Sequence, residues 1–206
     1  MPFHQRTLHR TIFRTSHKIL LDRLLANIFK DITGDVLVLG AGMEPYRKLL
    51  PLASSLQITD VAVFNDDIDQ VMDAHSISYS DSSFDCILAI EVFEHLENPA
   101  LATAEIYRSL KEGGTLIMSV PFMFHIHGDP HDYQRFTAYG LEVLFTKFSA
   151  KSLIPFGSRL HVISDIITTS WKPFALFRVF NWLLGYMPFF LASEDCPSGY
   201  LVILQK

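Results

Sequence analysis

Residues 36–42 read Val-Leu-Val-Leu-Gly-Ala-Gly, and the fold follows from what this stretch demands of its surroundings. Val36 to Gly40 is a continuous apolar run of strand length, the pattern of a central parallel strand covered on both faces. Gly40 and Gly42 then let the backbone turn sharply and approach a ligand closely, and the helix that follows offers free N–H groups. Pro45 suits the first helical position, so a short helix through Leu50 is expected. Such a turn also occurs without a ligand, so the glycines alone do not decide between a binding loop and plain punctuation.

Reading outward, Leu56 to Asp60 is a second strand with a carboxylate at its end. A polar, helical piece is expected over Asp66 to Met72, and a short third strand over Ile77 to Tyr79. Phe84 to Ile90 (FDCILAI) is the next buried strand. A helix opens at Asn98 or Pro99, with Leu101, Ala104, Ile106 and Leu110 turned inward and Gly113-Gly114 as its stop. Thr115 to Val120 is a fifth strand. A helix over Ala138 to Phe148 and strands over Lys151 to Pro155 and Tyr200 to Leu204 complete the pattern. Strands alternating with helices at this rhythm predict βαβ units and a mostly parallel sheet.

A dinucleotide-binding loop would carry a third glycine three residues after Gly42, where this chain has Pro45. The loss of that glycine turns the reading from a pyrophosphate towards a nucleoside. Asp60, eighteen residues after Gly42, can accept hydrogen bonds from a ribose diol, although an isolated aspartate at a strand end also serves as an ordinary turn residue.

With these blocks in place, the chain resembles the class I S-adenosylmethionine-dependent methyltransferases, type 11 domain group. The resemblance covers residues 35–150 and rests on VLVLGAGMEPYRKLL, ITD, VMDAHSISYSDSSFDCILAIEVFEHLENP and SLKEGGTLIMSVPF. It implies a Rossmann-like α/β fold: a seven-stranded, mostly parallel sheet with helices on both faces and the last strand antiparallel. It further implies that Gly40, Ala41 and Gly42 lie against the methionine part of the cofactor. Asp60, with Val61 after it, would hold the ribose, and Asp73 with Ala74 would flank the adenine. Glu91 to His95 would line the site, with Glu91 and His95 as cofactor contacts; the alternative for His95 is a structural cap on the turn after Glu94. The family usually has an acidic residue where this chain has Val38, which supports a rival reading: a non-catalytic, methyltransferase-like protein that binds a nucleoside or a partner.

Residues 122–137, FMFHIHGDPHDYQRFT, follow the fifth strand at the edge where open α/β sheets bind ligands. A similar loop, with a His followed by P-x-D-Y-x-R-[FY]-T, occurs in a branch of the same family that acts on glycans and other secondary metabolites. Histidine suits proton removal from a hydroxyl acceptor. His127 and His131 are therefore the candidate bases, with Asp132 as orienting partner and Arg135 as a contact to substrate charge. A structural lid fixed by the Asp132–Arg135 pair is the alternative. A metal set on His125, His127 and Asp129 is disfavoured, because Pro130 stands where a further His would complete it, and no metal is assigned.

The remaining features bound the surroundings. At 206 residues, 49% apolar and 19% charged, the chain has the size and composition of one folded domain. The expected parts are an N-terminal helical cap over 1–30, a core over 35–157, a hydrophobic helical insert over 158–195 and a last strand over 198–206. A net charge of −5 gives no footprint for nucleic acid. Arg6, Arg10, Arg14 and Lys18 recur every four residues; this is either a solvated helix face or a basic strip for an anionic surface. Cys86 and Cys196 form no metal or disulfide pattern, and the first residues lack the apolar core of a signal peptide, so a cytoplasmic setting is expected. Pro173 to Ala192 approaches the length of a membrane span, but Arg178, Asn181, Gly185 and Pro188 interrupt it. It reads instead as buried or interface helices, compatible with a lipid-linked acceptor, peripheral membrane contact or a homodimer.

Overall fold

The computed structural model describes residues 14–127, 131–170, 178–186 and 193–206. The chain falls into two compact units. One comprises residues 26–121, 126–154 and 200–206; the other comprises residues 1–25, 122–125 and 155–199.

The first unit is built on β1 (Gly34–Val38), β2 (Ala53–Asp60), β3 (Gln70–Val71), β4 (Phe84–Ile90), β5 (Leu110–Pro121), β6 (Ala150–Phe156) and β7 (Gly199–Gln205). They form one sheet in the order β3-β2-β1-β4-β5-β7-β6. Strands β3 to β5 pair in parallel, and β7 runs antiparallel to its neighbours. Val36, Leu37 and Val38 of β1 and Ile87, Leu88 and Ala89 of β4 have no exposed surface, which is why both strands are apolar almost throughout. Strand order reverses direction between β1 and β4, and crevices at such a switch point, beyond the carboxyl ends of the strands, are where open α/β sheets bind ligands.

Helices α2 (Tyr46–Leu49), α3 (Pro99–Ser109) and α4 (Ala138–Leu144) belong to this unit. The side chain of Asn98 caps α3 by accepting from the Leu101 amide at 3.1 Å, with Pro99 at the first helical position. Thr137 caps α4 in the same way through the Gly140 amide.

Several expectations need correction, among them the inward turn of Leu101 and Ala104 on α3, which are both exposed. Residues 66–72 are not helical: Gln70 and Val71 pair with Thr59 and Asp60 as edge strand β3, because the exposed edge of β2 offers unpaired backbone groups. Ile77 to Tyr79 is not a strand, since Arg108 of α3 donates to the carbonyls of Ile77 and Tyr79 at 2.9 Å each and Glu105 accepts from the Ile77 amide. The glycine pair does not stop α3, which ends at Ser109; Gly113 and Gly114 lie within β5, where the register jumps from Leu110 to Thr115.

In the second unit, α1 (Ser16–Phe29) starts on Asp165 of α5 (Arg159–Ser170). The Asp165 carboxylate accepts from the amides of Ser16 and His17, at 2.7 and 2.9 Å, and from the Ser16 hydroxyl. The leading residues of α1 are thus grouped with α5. Arg14 and Lys18 both pair with Asp22 of α1, as on a solvated helix face; Arg6 and Arg10 lie outside the described residues. Helix α6 (Arg178–Gly185) is the described part of the 173–192 stretch. Its Asn181 is buried and bonded to Ser164 and Thr168 of α5, which accounts for a polar residue in an apolar run. Among the described residues, no helix is long and apolar enough to cross a membrane.

Candidate functional site

Two loops at the carboxyl edge of the first unit form the site: the turn after β1 and the turn after β4. Gly40 and Gly42 adopt φ of +67° and +56°, the left-handed region that disfavours other residues. A side chain on Gly40 would come within 2.5 Å of Val92, while the same position on Gly42 faces open space. The turn is pinned from β2. The Gly42 amide donates to one Asp60 oxygen at 2.7 Å, and the Val61 amide donates to the other at 2.7 Å. Asn65, which the sequence reading did not single out, donates to the Gly42 carbonyl at 2.7 Å.

Asp60 is buried at the strand end, Ala41 and Ala74 are buried, and Val61 is exposed. The Met72 amide donates to the Asp60 carbonyl, so the pairing of β3 with β2 delivers Asp73 two residues beyond Val71, Asp60's partner on the sheet edge. Asp73 itself is exposed and accepts from the amide and ring of His75; these contacts lower its pKa.

At the end of β4, Glu91 has a φ of +56°, a conformation that costs a residue with a Cβ about 1–2 kcal/mol. Both the amide and the carboxylate of Glu91 meet Ser119 of β5, whose hydroxyl donates to Oε1 at 2.8 Å. The bend throws the next residues into a single 3-10 turn, Phe93–His95, and drives Glu94 into the interior with none of its surface exposed. Neither carboxylate oxygen of Glu94 has a hydrogen-bond partner among the described residues. Burial first, and the neighbouring Glu91 charge second, hold its pKa well above the ordinary carboxylate range.

The loop after β5 folds back over this turn. The Tyr133 amide donates to the Glu94 carbonyl, Gln134 donates to the Leu96 carbonyl, and His95 Nδ1 donates to the His131 carbonyl at 2.5 Å. Asp132 accepts from the His127 amide at 2.9 Å and takes a two-pronged ion pair from Arg135. Burial alone would raise the Asp132 pKa, but the Arg135 and His127 contacts outweigh it and bring it down to about 2. The His127 ring has Nδ1 3.3 Å from Asp132 and Nε2 3.8 Å from Glu94.

His131 gives the cluster its carbonyl, while its ring lies against Tyr133. His125 is part of the other unit, where its Nδ1 meets the Thr169 hydroxyl at 3.3 Å; Asp129 and Pro130 lie outside the described residues. Glu94 stands out as the buried centre of the cluster. Its only trace in the sequence is a second carboxylate three residues after Glu91, set between the apolar residues Phe93 and Leu96.

Residues 41–118 match a family model described as a methyltransferase domain. The whole chain is similar in fold to a SAM-dependent methyltransferase from Archaeoglobus fulgidus, with TM-score 0.63, 18% identity and coverage of 98% of this chain and 99% of that one. It is also similar to a Thermotoga maritima protein described as a SAM-dependent methyltransferase, possible histamine N-methyltransferase. There the TM-score is 0.65 and the identity 14%, over 98% and 95% of the two chains. A stretch of 49 residues is 41% identical to an uncharacterised 37.1 kDa transposon protein of Streptomyces fradiae. That match spans 24% of this chain and 14% of the relative. The fold neighbours share the architecture of this chain, and residues 41–118 are similar to a methyltransferase domain.

Proposed function

We propose that the chain transfers the methyl group of S-adenosylmethionine to a hydroxyl oxygen of a small-molecule, glycan or lipid-linked acceptor. The observation that carries this reading is the meeting of the Gly40–Gly42 turn with Asp60 at the switch point of the sheet. The residues there fit a nucleoside. Each Asp60 oxygen accepts a single amide hydrogen bond and keeps a further lone pair for a sugar hydroxyl. Gly42 leaves open space where a side chain would stand, and Asp73 with Ala74 supplies a polar and an apolar flank for a base. None of these features needs an acidic residue at Val38, a fully buried residue of β1, the strand flanked by β2 and β4.

When bound, S-adenosylmethionine would supply an electrophilic methyl group, its S–CH3 bond giving way to an O–CH3 bond and its sulfonium to a neutral thioether. Most of the acceleration in such a displacement comes from alignment, which falls to the two loops. The acceptor's proton must leave, and His127 is the candidate to take it. Asp132 holds the His127 amide and faces its ring, and Arg135 anchors Asp132. His131 is the second candidate, Arg135 the contact for a charged acceptor, and Glu91 and His95 frame the cofactor side.

The other unit supports an extension of this reading. Leu160, Ile163 and Ile167 of α5 and Phe180, Trp182 and Leu183 of α6 are exposed, and exposed apolar surface of this kind marks contact with an apolar partner. Lipid-linked acceptors, a lipid surface and a second copy of the chain are the partners proposed for it. Liposome co-sedimentation and light scattering separate these, and a monomer indifferent to lipid removes the extension.

The test of the main reading is turnover. With a panel of hydroxylated acceptors, mass spectrometry should find an O-methyl ether and an equal yield of S-adenosylhomocysteine. His127→Ala should lose most of this turnover while still binding S-adenosylmethionine. Product methylated at nitrogen or carbon alone would remove the oxygen assignment, and full turnover by folded His127→Ala would remove that residue's role.

A further inference from the structure

Glu94, His95 and His127 converge: one potential ligand atom from each lies within 4.8 Å of the other two. Glu94 Oε1 is 3.7 Å from His95 Nε2 and 3.8 Å from His127 Nε2. The two rings meet edge to face, with centroids 5.1 Å apart.

The arrangement of protons is what gives this trio a purpose. His95 Nδ1 faces the His131 carbonyl, which can only accept, so the Nδ1 proton is fixed there and the Nε2 lone pair is left facing Glu94. His127 Nδ1 faces the Asp132 carboxylate, which Arg135 keeps ionised, so its proton is fixed on that side and its Nε2 lone pair also faces Glu94. Two lone pairs and a buried carboxylate without a hydrogen-bond donor thus point at one another. Left alone, such an assembly keeps a buried carboxylate short of hydrogen-bond donors, with the Arg135 guanidinium as the positive charge acting on it. Metal-binding histidines commonly have this form: one ring nitrogen on the ion, the other donating to a carboxylate or a carbonyl.

We infer that Glu94, His95 and His127 form a site for a divalent transition-metal cation, with Asp132 and the His131 carbonyl orienting the two imidazoles. Two nitrogen donors and one oxygen donor suit zinc, iron, manganese or cobalt better than calcium or magnesium. Metal–ligand bonds of about 2.0–2.2 Å place neighbouring donors about 3.4 Å apart in a tetrahedron, so the two Glu94–His separations need only a small contraction. Three protein ligands leave a coordination position open, as catalytic sites require. The His95 and His127 side chains are 22% and 34% exposed, which gives the ion a path from solvent to an otherwise buried carboxylate.

The consequence for catalysis rests on the oxygen-acceptor reading; the binding of the ion does not. An acceptor hydroxyl at the open position would be acidified by the ion and lose its proton to solvent, and His127 would then act by holding the metal rather than by removing the proton.

The site is tested on the full chain without cofactor or acceptor, stripped with EDTA and titrated with cobalt(II) chloride. Wild type should take up one cobalt per chain and develop visible d–d absorption. Glu94→Gln and His127→Ala should abolish that band, and Asp132→Asn should weaken binding about 10- to 100-fold, the usual effect of losing a ligand's supporting partner. His75→Asn, which alters a histidine outside the cluster, should leave stoichiometry and spectrum unchanged. Circular dichroism confirms the fold of each variant, and His95→Asn replaces any that unfolds. Wild type that retains no cobalt, or folded Glu94→Gln and His127→Ala that bind it as wild type does, overturns the inference. Cobalt binding by a protein with no affinity for S-adenosylmethionine would uphold the metal site while contradicting the methyltransferase reading, so the two fail separately.

Discussion

Asp60 accepts a 2.7 Å hydrogen bond from the Gly42 amide, so the carboxylate expected to face the sugar also holds the glycine turn in shape. The two tasks share a side chain, and its removal should be felt in both. Asp60→Ala should weaken S-adenosylmethionine binding about 10- to 100-fold, the loss expected for one or two hydrogen bonds to a charged group. Asp60→Asn should fall between, since it retains one acceptor oxygen. Isothermal titration calorimetry measures this directly; wild-type affinity in Asp60→Ala would leave the turn, but not the carboxylate, as the binding element.

The two glycines should respond differently to a methyl group. Gly40→Ala meets both a positive φ and Val92 at 2.5 Å, so its cost falls on stability, with Tm lowered by about 3–8 °C. Gly42→Ala meets open space, so its larger effect should be on cofactor affinity. Differential scanning calorimetry beside ligand titration distinguishes the pair, and the reverse ranking would contradict the proposed orientation of the turn.

How much of this was legible beforehand differed by element. Strands β1 and β4 could be read because a parallel strand covered on both faces must be apolar along its length. The β4 bounds, Phe84–Ile90, coincide with the sequence reading. Strand β3 could not, because Gln70 and Val71 are extended only through hydrogen bonds to β2, and a two-residue strand is too short to carry a periodic signal. The 122–137 loop gave its residue types but not their assembly. His125 and His127 stand two residues apart in sequence, yet one meets Thr169 and the other faces Glu94 and Asp132. Glu94 went unsingled for a related reason: burial of a charged residue depends on the left-handed bend at Glu91, which nothing local announces.

Acid sensitivity should trace in part to Asp85. The Asp35 amide and then the Lys111 ammonium, both 2.8 Å away, hold its pKa below the usual value. A depressed carboxylate pKa contributes stability that is fully present above the unfolded value, about 4, and is lost as pH falls through the folded one. Asp85→Asn should therefore melt below wild type at neutral pH, and the two should converge below about pH 4. A gap in Tm that persists unchanged into acid would show that the charge is irrelevant there.

Asp165 offers a test confined to the other unit. Asp165→Ala strips the acceptor from the Ser16 and His17 amides and the Ser16 hydroxyl, all buried, and should destabilise the fold by about 2–4 kcal/mol in urea unfolding. Asp165→Asn should recover part of this. Loss below about 0.5 kcal/mol in the alanine variant would mean that α1 does not depend on this cap.

The central claim is that the Gly40–Gly42 turn and Asp60 form a nucleoside site. Calorimetric titration of the purified full-length chain with S-adenosylmethionine and with S-adenosylhomocysteine tests it most directly. The account predicts one molecule of either bound per chain, in competition with each other. A folded protein that yields no heat and no thermal shift with either compound would contradict it.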